Sequence, residues 1–242
     1  MLGLSVGDLG RLKDFVSPSF FDVVPARVLW SEARRLVASR RDSAGFSQVV
    51  EQLQAVVTGP PVEVEIVEPK ALAKLSGAQA PKLQGETVLR LYFAQLFGLD
   101  RAALDLRAAN FRWAGEHLQW APPPLSVHWD KDFILGIRDL YSGFYRDDDP
   151  LFQDAARRLN LTPAVDLFVE HFGTGDQRSV TFEQDAFKDS FHSVFVRCRD
   201  AGQALAPGFI SLGVMLGALY EHLSTLGVPL DVRGAFEAVC PR

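Results

Sequence analysis

The chain has 242 residues, 48% of them hydrophobic and 23% charged, which is enough apolar material to bury a large core in one domain or two. Its formal net charge of −5 argues against general binding to nucleic acid or to anionic membranes, because such binding depends on clustered lysine and arginine. The two cysteines, Cys198 and Cys240, form neither a disulfide framework nor a metal-ligand spacing, so we expect a cytoplasmic protein.

The first 58 residues are predicted to form a helical layer. Residues 5–16 are expected to form a short helix capped by Ser5, and Pro25 is suited to open a second helix that runs to about Ser39. A third helix is indicated by apolar residues at three- and four-residue spacing, namely Phe46, Val49, Val50, Leu53, Val56 and Val57.

Arginines are concentrated on the second of these helices. Most of them fall opposite its apolar residues, so we interpret them as a solvated face rather than as a phosphate-binding patch; they are Arg27, Arg34, Arg35, Arg40 and Arg41. Arginine also outnumbers lysine in the whole chain, a bias typical of GC-rich bacterial genomes.

Residues 59–125 are predicted to contain a small antiparallel sheet. Val62, Val64 and Ile66 alternate with glutamates, which is the pattern of a strand with one face in water. The partner strands are expected at 104–113 and 117–122, joined as a hairpin.

The rest of this segment is helical or extended. Residues 69–77 are expected to form a short helix, and residues 85–98 fit either a helix or a buried strand, because periodicity does not separate the two. Three prolines, 122–124, form a stiff linker to the C-terminal part of the chain.

Residues 126–242 are predicted to form a helical bundle. Asp130 is placed to cap a first helix, and Asp149 followed by Pro150 is placed to begin a second. A third helix is expected from Thr162–Pro163 to Gly173, and a fourth from a capping box formed by Thr181 and Gln184.

Two apolar features are expected to dominate the bundle. Phenylalanines 187, 191 and 195 lie four residues apart and form a seam with Val194 and Cys198, which is typical of a core. A last long helix, from about Pro207 to Leu226, is apolar nearly all round, and its continuous apolar part is shorter than a membrane span requires. We therefore expect a central buried helix and no membrane span.

Together these patterns predict a mainly helical α+β protein, consisting of a helical bundle and a small antiparallel sheet. The three segments, 1–58, 59–125 and 126–242, are also compatible with one compact domain. No motif for catalysis, cofactor binding or metal ligation is present, so we assign no catalytic residue, cofactor or metal.

Tryptophans around the proline linker are the residues for which we predict a recognition role. Tryptophan is enriched at interfaces, so we predict a non-enzymatic binding or regulatory protein that contacts a protein partner, with homo-oligomerisation as one option, through Trp113, Trp120, His128 and Trp129. The competing interpretation is that these residues pack the sheet against the helices.

Two other functions remain as alternatives. One is an enzyme whose polar groups converge only in three dimensions, around His128, Asp130, His171 and Asp176. The other is a carrier of an apolar ligand inside the phenylalanine-lined bundle.

Overall fold

The computed structural model describes residues 24–56, 61–72, 80–170 and 179–240. These residues form a mainly helical α+β structure, as predicted. The helices are α1 (Ala26–Ser39), α2 (Ser43–Val56), α3 (Pro81–Gly98), α4 (Lys131–Tyr145), α5 (Asp149–Arg158), α6 (Val165–Glu170), α7 (Gln184–Asp200), α8 (Gly208–Leu226) and α9 (Val232–Val239). The strands are β1 (Val64–Ile66), β2 (Arg101–Ala103), β3 (Phe111–Ala114), β4 (His117–Trp120), β5 (Ser126–His128), β6 (Ser179–Val180) and β7 (Leu230–Asp231).

The N-terminal helices α1 and α2 agree with the predicted bounds. The helix predicted over 5–16 lies outside the described residues, as does most of the one predicted over 69–77. Residues 85–98 are helical and belong to α3, which begins with Pro81 and buries most of its circumference from Gly85 to Leu96. A segment of 18 residues that starts at a proline favours a buried helix over a strand, because it is longer than a buried strand usually is.

The main sheet has the strand order β1, β4, β3. The predicted hairpin is present, with β3 and β4 antiparallel and Phe111 opposite Trp120. The expectation of a wholly antiparallel sheet is wrong, because β1 pairs with β4 in parallel, with Val64 beside Leu118. Parallel pairing requires a long crossover connection, and α3 lies within that connection.

Residues 104–110 were predicted as part of a strand and instead form a loop with one 3₁₀ turn, Ala108–Asn110. The loop is fixed by side chains, because Asp105 accepts hydrogen bonds from Nε and Nη2 of Arg107 at 2.9 and 2.7 Å. Strand β2, which leads into this loop, pairs with β5 in antiparallel fashion. The sequence pattern did not predict either strand. Each strand has three residues, too few for an alternating pattern to be recognised.

The helices of the bundle begin close to the predicted positions. Asp130 caps α4, with Oδ1 accepting from the backbone N–H of Asp132 at 2.9 Å. Asp148, rather than Asp149, caps α5. Thr162–Ala164 form a 3₁₀ turn before α6, and the predicted end of that helix at Gly173 lies outside the described residues.

The capping box predicted at Thr181 is wrong. Glu183 occupies the N-cap position of α7 in an extended conformation, and its side chain makes no capping hydrogen bond. Thr181 therefore lies two residues before the N-cap position, too far from the helix to receive its first free N–H groups. Helix α9, at the C-terminal end of the described chain, was not predicted.

Helix α8 lies at the centre of the core. It is buried from Phe209 to Tyr220, and it is the one helix of the described chain whose length and composition would allow a membrane crossing, although 78% of that window is buried within the protein. The phenylalanine seam of α7 is buried against it as predicted: the Phe187 ring stacks on Tyr220 at 4.5 Å, and the Phe191 ring lies directly over Gly213. These ring contacts place the seam inside the packed core.

Candidate interaction surface

The three tryptophans predicted for recognition are buried. Trp113, Trp120 and Trp129 each have 5% or less of their surface exposed, so they do not form an aromatic patch on the protein surface. On the hairpin, alternate residues point to one face, and this face packs against the helices. The competing interpretation, that these tryptophans join the sheet to the helices, therefore describes their environment.

Hydrogen bonds and stacking fix each of these rings. Trp113 Nε1 donates to Gln84 Oε1 on α3 at 2.8 Å, and Trp129 Nε1 donates to Ser211 Oγ on α8 at 2.9 Å. The Trp120 ring stacks on Phe111, with centroids 5.4 Å apart and planes inclined by 6°. All three rings are therefore held by contacts inside the protein.

His128, the fourth predicted residue, is exposed on β5, opposite Arg101. The alternative enzyme site combined it with Asp130, His171 and Asp176. Asp130 is engaged as the cap of α4, while His171 and Asp176 lie outside the described residues. In the described part of the chain, no group of three or more His, Cys, Asp or Glu side chains is arranged to hold a metal ion.

His222 is the most perturbed histidine of the described chain, and it is completely buried on α8. Its Nδ1 donates to the Leu106 carbonyl at 2.9 Å, and its Nε2 accepts from Gln84 Nε2 at 2.7 Å. Burial lowers the pKa of His222 to about 4, so the ring is neutral at physiological pH. This network ties the 104–110 loop to α3 and α8 and leaves neither ring nitrogen open to a substrate.

The buried tyrosines and the two cysteines, of which Cys198 is buried and Cys240 partly buried, are also unsuited to acid–base or nucleophilic chemistry at neutral pH. Tyr92 and Tyr141 share a hydrogen bond of 2.6 Å between their hydroxyl groups, and burial raises the pKa of each well above the ordinary range. Burial also raises the pKa of the Cys198 and Cys240 thiols to about 11, which keeps them protonated.

A different tryptophan is exposed. Of the four tryptophans in the chain, Trp30 alone lies at the surface, with 46% of its area exposed on the outer face of α1. Together with Arg27, Ser31 and Arg34 it lines a shallow depression. We call Arg27, Trp30 and Arg34, which follow one face at spacings of three and four residues, the Arg–Trp stripe.

The inner face of α1 anchors the helix and leaves this stripe outside. Glu32, Ala33 and Leu36 are buried, and the helix packs on β5 and α8. Burial raises the pKa of the Glu32 carboxyl, and Arg35 lies beside it at 3.5 Å. Arg35 is therefore associated with an acid of its own helix.

The arginines of the stripe have no such acid. Neither Arg27 nor Arg34 forms an ion pair with any described residue, although the molecule is acidic as a whole. The sequence pattern correctly placed these arginines opposite the buried face and did not single out Trp30. Its neighbour Leu29 is partly buried, and only the structure shows that the Trp30 ring turns outward.

Comparison of the sequence with protein-family models and with curated proteins found no match.

Proposed function

We propose that this is a non-enzymatic protein-binding protein and that the Arg–Trp stripe of α1 is its binding surface. The observation that carries the proposal is the exposed Trp30 ring between two arginines that have no acid partner among the described residues. Tryptophan and arginine dominate the binding energy of protein interfaces, and a large exposed aromatic ring gains free energy when a partner covers it.

The size and charge of the surface favour a protein partner over nucleic acid. The stripe offers two arginines around one ring on a molecule with a net charge of −5. Binding to a nucleic acid backbone requires several cations along a groove, whereas a protein segment with one apolar and two acidic side chains matches this stripe directly.

Site-specific photo-crosslinking tests the proposal. A benzoylphenylalanine at position 30 is expected to yield one discrete protein adduct in the native cell, and the adduct should disappear when Arg27 and Arg34 are replaced by alanine. The same crosslinker at Gln153, an exposed position of α5, is the matched control and should give no such adduct. An adduct at position 30 that survives loss of both arginines, or no adduct at all, would contradict the proposal.

A further inference from the structure

A second exposed stripe, on α4, has the same spacing and the opposite charge. Asp132, Leu135 and Asp139 follow its outer face, and Leu135 is 38% exposed. Trp30 and Leu135 are two of only three large hydrophobic side chains exposed in the described chain. We call these three residues of α4 the Asp–Leu stripe.

The two stripes match position by position. Arg27, Trp30 and Arg34 occupy positions i, i+3 and i+7, and the Asp–Leu stripe repeats that spacing with acid, apolar and acid side chains. Seven residues of helix span roughly 10 Å. When the two helices lie side by side in the same direction, both ion pairs and the apolar contact therefore form together.

We infer that the Arg–Trp stripe binds the Asp–Leu stripe of a second copy of this chain. The inference rests on the proposed function and names the protein partner. Trp30 packs on Leu135 of the other copy, where Arg27 and Arg34 face Asp132 and Asp139. The charges favour self-recognition, because the arginines of one stripe are complementary to the aspartates of the other.

The two aspartates of the Asp–Leu stripe have carboxylate oxygens that can accept hydrogen bonds from the arginines of a second copy. Asp132 is exposed in the first turn of α4 and forms no ion pair with a described residue. Asp139 accepts from Arg158 at Oδ2, at 2.6 Å, and Arg158 also contacts Asp154. Oδ1 of Asp139 is left to accept from an arginine of the partner, and Arg158 holds the carboxylate in position.

The two stripes would pair twice in a closed dimer. Helix α1 packs on β5, and β5 leads through Trp129 and Asp130 into α4, so both helices adjoin the same strand and carry their stripes on exposed faces. In a dimer with a two-fold axis, the α1 of each copy would lie on the α4 of the other. Such an isologous dimer forms the contact twice and leaves no open end.

A charge-swap experiment tests this dimer by sedimentation velocity over a range of concentrations. One variant carries Arg27→Glu and Arg34→Glu, and the other carries Asp132→Lys and Asp139→Lys. Wild type is expected to dimerise, and each variant alone should dimerise at least tenfold more weakly because like charges then face each other. An equimolar mixture should recover the dimer, since both contacts become complementary again.

The recovery in the mixture distinguishes a lost interface from a lost fold, and thermal unfolding of each variant checks the same point. A control with Lys82→Glu and Arg199→Glu lowers the net charge by the same amount as the arginine variant does, at positions outside both stripes, and should dimerise as wild type does. A wild-type protein that remains monomeric at every concentration would overturn the inference, as would a mixture that does not recover the dimer.

The crosslinker at position 30 separates the two proposals. An arginine-dependent adduct with twice the mass of the chain supports both. An arginine-dependent adduct with a different protein overturns self-recognition and leaves the proposed function standing. Absence of any adduct overturns both.

Discussion

The four tryptophans of the chain lie in two contrasting environments, because three are buried and one is exposed. Trp120 is completely buried and stacked on Phe111, whereas Trp30 has nearly half of its surface exposed. Only the buried ring contributes its full area to the free energy of folding, because burial removes it from water. The exposed ring leaves that area in water, where the proposed partner would cover it.

This contrast predicts different outcomes for two alanine variants. Trp120→Ala should reduce the free energy of unfolding by about 3–5 kcal/mol, as truncation of a buried aromatic leaves a cavity. Trp30→Ala should reduce it by less than about 1 kcal/mol and should abolish partner binding. Urea denaturation measures the free energy of unfolding, and sedimentation velocity measures partner binding. A strongly destabilised Trp30→Ala would show that this ring belongs to the core.

His222 makes stability depend on pH. Its pKa is lowered to about 4 in the folded state, so the unfolded chain, with an ordinary histidine, binds more protons between those two values. The free energy of unfolding is therefore fully retained above pH ~6.5 and falls as the pH decreases towards 4, by on the order of 3 kcal/mol in total.

The variant His222→Gln isolates this contribution from that of the carboxylates. It removes the titrating ring, so the difference in unfolding free energy between wild type and variant should shrink as the pH is lowered from about 7 to about 5. Chemical denaturation at several pH values measures it. A difference that stays constant over this pH range would show that protonation of His222 does not cause the loss of stability.

At the scale of helices, packing between α7 and α8 depends on a missing side chain. A Cβ atom at Gly213 would overlap the Phe191 ring, so the glycine permits the two helices to approach this closely.

Gly213→Ala is accordingly expected to destabilise the protein by about 1–3 kcal/mol through overpacking, despite the higher helix propensity of alanine. Adding Phe191→Leu to this variant should recover part of the loss, because the smaller side chain makes room for the methyl group. A double-mutant cycle of thermal unfolding measures this coupling. Strict additivity of the two changes would show that they do not meet.

Helices were predictable from this sequence where a local signal defined them. Asp130 and Pro25 marked starts that the structure contains, because capping and first-turn proline are decided by a few neighbouring atoms. Strand β1 was also found, yet its direction was not. The choice between parallel and antiparallel depends on the path of α3 and not on the residues of the strand itself.

The proposed binding surface was the least predictable feature. Both Trp30 and Trp120 stand in short stretches with apolar neighbours, and composition does not reveal which ring will be covered. Burial of Trp120 follows from its partner strand and from the helices behind it, all of which are distant in sequence. The matching spacing of the two charged stripes became meaningful only when both proved to be exposed.

For the whole molecule, the proposed dimer should respond to salt. Its contacts include four exposed ion pairs around two apolar contacts, and exposed pairs are individually weak and screened by electrolyte. The dissociation constant should therefore rise at least severalfold between about 0.05 M and about 0.5 M sodium chloride, as measured by sedimentation velocity. Association that strengthens with salt would indicate a purely apolar interface instead.

The parallel pairing of β1 has a consequence for the order of events during synthesis. Val64 must wait for Leu118, 54 positions later, before its ladder can form, and α1 packs on β5 and on α8, which lie later still. A nascent or truncated chain therefore carries α1 without the scaffold that orients it. The Arg–Trp stripe is therefore held in place only after α8 has been synthesised, and the proposed dimer would form only then.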